Sequence, residues 1–271
     1  MSPYTRLLAL GAALIAVAGL YGPARAADPV RIYAAGSLGS VLPELIAASG
    51  LPEGAVAPPV FGPSGVLRQR LQSGEKADLF ASADLAQPRS LTPSTAMMVV
   101  PFARNRMCLA APERLGLTAD NMLDRILSPD TRLATSTPGA DPGGDYARAL
   151  FARAEAVHPG AEAALIAKSL TLLGGPGSMA PQPGHSAAAM IFLGNQADAL
   201  LYYCSGAAAT AREVPGVVSI PVPDALEVGP VYGLAVLSAQ PDAMRLALFM
   251  VSERGQAILA HAGLLPLVSG R

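Results

Sequence analysis

One local pattern recurs along most of the chain. A short apolar run ends in a loop of small residues, and an amphipathic stretch with helical spacing starts at once. Residues 30–35 (VRIYAA) lead through Gly36-Ser37 into a helical pattern over 38–48. Residues 56–61 (VAPPVF) lead through GPSG into 66–72, and 132–136 (RLATS) lead through TPGADPGG into 146–156. A Gly/Pro-rich stretch, 174–184, opens a fourth helix over 186–193, and a strand over 199–203 follows it. Further apolar runs at 77–81, 97–110, 217–222 and 231–237 read as strands, and helices are predicted from 242 and over 256–261. Strands alternating with helices imply parallel sheets covered by helices on both faces, an α/β fold. No repeat of fixed period and no low-complexity tail interrupts the pattern.

The first segment departs from it. Arg6 is followed by a wholly apolar run over 7–20 (LLALGAALIAVAGL) and by Ala24-Arg25-Ala26. These are the n-region, apolar h-region and small-residue cleavage site of a secretory signal peptide, with cleavage expected after Ala26. The run is shorter than the about 20 residues a membrane span needs. No Arg-Arg pair and no cleavage-site Cys suggest a twin-arginine route or a lipid anchor. The mature chain, 27–271, is therefore expected in the periplasm. Its charge falls from −1 to −3 once Arg6 and Arg25 are removed. With 14% charged residues, nothing marks a nucleic-acid or acidic-membrane surface. Cys108 and Cys204 lie in apolar runs, and a disulfide or two buried thiols both fit. The histidines are His158, His185 and His261. A soft-metal set of Met179, His185, Met190 and Cys204 lacks ligand spacing, so neither metal nor cofactor is expected.

In an open α/β sheet, ligands bind beyond the carboxyl ends of the strands. Here those ends are small-residue loops that open helices. The first turn of a helix carries unpaired N–H groups and a positive dipole end, which together favour an anion. Ser37 and Ser64 add hydroxyl donors, although either could instead cap its own helix. The glycines of 137–144 fit a plain βα turn as well as a ligand loop.

These residues also carry a resemblance. AAGSL at 34–38 and FGPSGVLRQRLQSGEKADLFASAD at 61–84 resemble periplasmic molybdate-binding proteins of ABC importers. So do FARNRMCLA at 102–110, DPGGDYARAL at 141–150 and NQADALLYY at 195–203. The resemblance implies the type II periplasmic binding fold, two α/β lobes, each a mostly parallel sheet flanked by helices. Two crossing segments near 102–105 and 230–233 would join them. Lobe 1 would hold 27–103 with 230–271, and lobe 2 would hold 104–229. It further implies a monomer that binds molybdate or tungstate in the cleft and delivers it to an ABC permease. Ser37, Ser64 and Tyr203 would supply hydroxyls, and Gly143 and His185 backbone N–H groups.

The chain departs from that pattern in places. Gly206 stands where the family has Asp three residues after the Tyr, and Asp141 and Asp145 flank Gly143. A different anion (sulfate, phosphate or an organic acid), a sensor lobe, or an enzyme on the same fold are the competing readings. The enzyme reading lacks a nucleophile elbow and a placed triad, and no enzymatic activity is expected.

Overall fold

The computed structural model describes residues 28–91 and 95–267, so the signal-peptide segment lies outside the described residues. The first half of the alternation forms β1 (Ile32–Ala35), α1 (Leu42–Ala48), β2 (Val60–Gly62), α2 (Ser64–Gln72), β3 (Leu79–Ser82), α3 (Ala86–Arg89) and β4 (Met98–Arg104). Next come β5 (Met107–Pro112), α4 (Met122–Leu127), β6 (Leu133–Ser136), α5 (Pro142–Val157), α6 (Ala161–Lys168), β7 (Leu170–Leu173), α7 (Ala187–Leu193), β8 (Ala199–Tyr203), α8 (Cys204–Glu213) and β9 (Val217–Pro221). β10 (Val231–Val236), α9 (Pro241–Val251) and α10 (Glu253–His261) complete the order. Every residue of β1, β3 and β6 is buried, as expected for parallel strands covered on both faces.

The strands make two five-stranded sheets, ordered β2-β1-β3-β10-β4 and β7-β6-β8-β5-β9. Each is mixed. β1, β2 and β3 run parallel, and β10 lies antiparallel between β3 and β4. In the second sheet β6, β7 and β8 run parallel, and β5 lies antiparallel between β8 and β9. The antiparallel members are the strands next to the crossings. The single apolar run at 97–110 is in fact two strands in two sheets, divided at Asn105 and Arg106. At this polar pair, Asn105 buried and Arg106 half-buried, the chain passes from one sheet to the other.

The return lies beside it. The Asn105 amide donates to the Pro230 carbonyl at 2.9 Å, and Val231 pairs with Arg104. One apolar cluster continues through this junction, with Phe102 edge-on to Tyr232, and Tyr232 against Tyr203 at 5.6 Å between ring centroids. Cys108 and Cys204 form a disulfide that ties β5 to the start of α8.

Five elements went unread in the sequence: α3, α4, α6, β7 and α8. The Gly/Pro-rich stretch hid β7, which ends at Leu173 just before Gly174 turns the chain at φ +75°. Residues 56–59 are not a strand. Pro58 and Pro59 cannot donate to a ladder, and Val56 makes only an isolated bridge to Val30.

Candidate functional site

The carboxyl ends of β1, β2, β6 and β8 face one another between the sheets and enclose a cleft of about 1170 Å³. Ser37, Ser64 and Tyr203 all line it. Ser37 sits in a single 3-10 turn, Gly36–Leu38, directly after β1. Its hydroxyl lies 3.0 Å from that of Tyr232. Asn105 fixes the order of donors. Its Oδ1 accepts the Arg106 amide at 2.9 Å, so its Nδ2 is the group that donates to Tyr232 Oη at 3.3 Å and to Ser205 Oγ at 2.8 Å. Tyr232 can then donate to Ser37, which leaves the Ser37 proton for another acceptor.

Ser64 is 1% exposed at the start of α2 and does not cap that helix, whose N-cap is Pro63. Its oxygen accepts the Ala83 amide at 3.2 Å. That leaves the hydroxyl proton for another acceptor. Tyr203 is likewise 1% exposed, and its hydroxyl has no hydrogen-bond partner among the described residues. The rings of Tyr146, Tyr202 and Tyr232 hold it in place. Burial raises the Tyr203 phenol well above its ordinary range, so it remains a proton donor.

Gly143 and His185 are placed differently. Gly143 lies in the first turn of α5, but Asp141 caps that helix, its Oδ1 accepting the Gly143 N–H at 3.0 Å. The carboxyl thus stands where the sequence reading places an anion, and Asp141 itself lines the cleft. His185 is exposed and is not among the lining residues. Its amide donates to the Gln182 carbonyl at 2.9 Å in a tight bridge. The start of α7 reaches the cleft instead, through Ser186, Ala187 and Ala188.

Several groups at the cleft wall or behind it carried no sequence signal. Ser205, which lines the cleft, and the Asn105–Tyr232 pair behind it depend on the crossings, which bring together residues 100 and 127 positions apart. Gly206 has a local cause, because a Cβ there would overlap the Tyr202 ring. An Asp at that position would require the Tyr202 ring to move. Arg212, Glu213, Glu44 and His261 bring both signs of charge to the rim. Asp145 points away, accepting the Gly139 amide at 2.8 Å. Among the described residues no group of His, Cys, Asp and Glu is arranged to hold a metal ion.

Comparison with known proteins places this geometry. Residues 30–265 match the family described as bacterial extracellular solute-binding protein. The chain belongs to that family. A Pasteurella multocida (strain Pm70) protein, PM1146, is 39% identical over 209 residues, covering 76% of this chain and 86% of that one. Two solved structures share the fold. The periplasmic molybdate-binding protein of Azotobacter vinelandii superposes with a TM-score of 0.67 at 16% identity, over 89% of this chain and 100% of that one. The sulfate-binding protein SubI of Mycobacterium tuberculosis H37Rv does so with 0.68 at 18%, over 89% and 87%. This solute-binding protein therefore has the two-lobed type II fold, with its cleft between the lobes. Among the described residues no helix is long and apolar enough to cross a membrane.

Proposed function

We propose that this solute-binding protein captures a small tetrahedral oxyanion, molybdate or tungstate, through Ser37, Ser64 and Tyr203, and delivers it as a monomer to an ABC permease. The observation that carries the reading is the Tyr203 hydroxyl, buried, protonated and unpartnered at the cleft wall. A buried hydroxyl without a partner costs roughly 1–3 kcal/mol. An anion oxygen would remove that cost and gain a charge-assisted bond. Ser37 and Ser64 stand on the opposite lobe with protons to donate. Neutral donors on two rigid lobes select by size and geometry, because fixed groups cannot follow a smaller ion inward.

A thermal-shift panel on mature protein tests this. Molybdate or tungstate at ~100 times its Kd should add about 2.7 kcal/mol, which is roughly 5–10 °C for a chain of this length. Sulfate and phosphate at the same concentration should add nothing measurable. A second reading rests on the cleft volume of about 1170 Å³ and on its Phe61, Val66, Leu173 and Met179 lining. Pockets of roughly 300–1000 Å³ already hold drug-sized molecules. Stabilisation by an organic acid or a phosphorylated acid, and not by the inorganic ions, would move the assignment to an organic anion.

Ser64→Ala separates a ligand contact from a structural one. The variant loses the acceptor for the Ala83 amide, so a fall in ligand-free stability of about 1–2 kcal/mol is expected whichever role Ser64 has. A lost hydrogen bond to a charged ligand is worth roughly 1.5–3 kcal/mol, or about 10- to 150-fold in Kd. Calorimetry should show that loss of affinity. A variant that melts lower and binds normally would restrict Ser64 to holding the end of β3.

A further inference from the structure

The cleft presents hydroxyls from Ser37, Ser64 and Tyr203, and beside them a carboxyl that is fixed in place. The Asp141 amide donates to the Thr137 carbonyl at 2.9 Å, and its Oδ1 accepts the Gly143 N–H. The segment after β7 closes over its other side. Gly174 lies at φ +75°, and a Cβ there would overlap Asp141 Cβ and come within 2.6 Å of Oδ2. Only glycine suits that conformation and that close approach, so the Gly174 backbone packs directly on the Asp141 side chain. Asp141 thus faces whatever occupies the cleft.

An ionised carboxylate only accepts hydrogen bonds, and so does a fully ionised oxyanion. Two such groups side by side in one cleft repel. A single shared proton turns the repulsion into a charge-assisted hydrogen bond. We infer that the cleft binds its anion together with one proton, held between Asp141 and the ligand, so that Asp141 is a specificity-determining residue. An oxyanion without a proton of its own, such as molybdate, then binds with uptake of one. The inference rests on the cleft being an anion site.

The surroundings support the protonated form. Burial raises the Asp141 carboxyl above its ordinary value, the Gly143 amide and then the Ser136 hydroxyl oppose this, and the charges of Asp145 and Asp84 add smaller upward pushes. Asp145 is on the same helix and Asp84 follows β3 across the cleft. Asp84 is itself raised by burial, with Arg68 the cation acting on it. The phenols of Tyr202, Tyr203 and Tyr232 face Asp141 from β8 and β10, and burial holds all three protonated. The sign follows directly. A carboxyl that must be protonated to bind gives full affinity below its pKa in the free protein, and affinity falls as pH rises above that value.

Calorimetry with molybdate on wild type and Asp141→Asn, at several pH values between about 6.5 and about 8.5 and in two buffers of different ionisation heat, tests it. The Asn variant keeps the acceptor for Gly143 and carries a donor that needs no proton. At pH values above the Asp141 pKa of the free protein, wild type should take up close to one proton per ion and its Kd should weaken about tenfold per pH unit; below that value both effects should fade. The variant should show no uptake and a flat Kd. His261, Glu213 and Glu44, which also line the cleft, are common to both proteins and cancel in the comparison. Identical pH profiles in the two proteins, with binding intact, would overturn the role of Asp141 and leave the oxyanion reading standing. No binding heat with any oxyanion in either protein would remove the oxyanion reading and this inference together.

Discussion

Gly65→Ala is expected to weaken ligand binding about 100-fold while leaving the melting of ligand-free protein unchanged or slightly higher. Gly65 is the second residue of α2, and its amide donates across the cleft to the Ala140 carbonyl at 2.9 Å. A Cβ there would overlap the Gly139 carbonyl oxygen and lie 2.8 Å from that of Ala140. Both obstacles are backbone, so neither can turn aside. The whole loop over 137–141, and its lobe with it, must move back. Ser37 and Ser64 belong to the first sheet and Tyr203 to the second, so a cleft held ajar loses contacts from one side. Forfeiting one to two hydrogen bonds to a charged ligand, at roughly 1.5–3 kcal/mol each, brings the loss to about 100-fold. With the lobes apart the added methyl faces solvent, and exchanging Gly for Ala in a helix is favourable by about 1 kcal/mol. Stability and affinity should therefore move in opposite directions. Small-angle scattering should also show wild type contracting on ligand binding, as hinge closure requires, and the variant contracting less. A Kd within threefold of wild type would mean that the Gly65–Ala140 contact is not needed for binding.

The fold was legible because its signals are local. Buried parallel strands read as unbroken apolar runs, and each ends at a small-residue loop that opens a helix. Ser37, Ser64 and Tyr203 stand at three of those ends, and the structure brings all three to one cleft. Local signals fail where the determining contact is distant. Whether Gly143 offers its amide depends on how Asp141 orients, which in turn depends on Gly174, 33 positions away. Counting back from Tyr203 pointed to His185, but the intervening Gly/Pro-rich turn spends the His185 amide on Gln182. α6, which follows α5 directly, was missed because it packs on its neighbour helix rather than repeating the strand-loop-helix pattern. The pairing of Cys108 with Cys204 was equally open, since two cysteines in apolar runs look alike until the fold makes the runs neighbours.

That pairing should account for a large share of the stability. Cys108 lies opposite Tyr202 in the β5–β8 ladder, and Cys204 opens α8, its amide donating to the Arg106 carbonyl at 2.8 Å. The bond links β5, which leaves the crossing at Asn105, to the strand that carries Tyr203. It closes a loop with a sequence separation of 96. Chain-entropy arguments assign ~4.7 kcal/mol to a loop of about 100 residues, and removing native disulfides typically costs about 2–5 kcal/mol. A value near 3 kcal/mol would lower melting by roughly 6–12 °C at this chain length. Ligand affinity well below that temperature should change little. Tyr203 is also held by its pairing with Met107 and by the rings of Tyr146 and Tyr232. The comparison is thermal melting of wild type with and without reductant, beside a Cys108→Ala/Cys204→Ala variant. Reductant should bring wild type down toward the variant and leave the variant unmoved. Such a bond persists in an oxidising compartment and not in a reducing one, so the result also bears on where the protein works. Wild type isolated from the periplasm with two titratable thiols and an unshifted melting curve would show that the two cysteines contribute only as small buried hydrophobes.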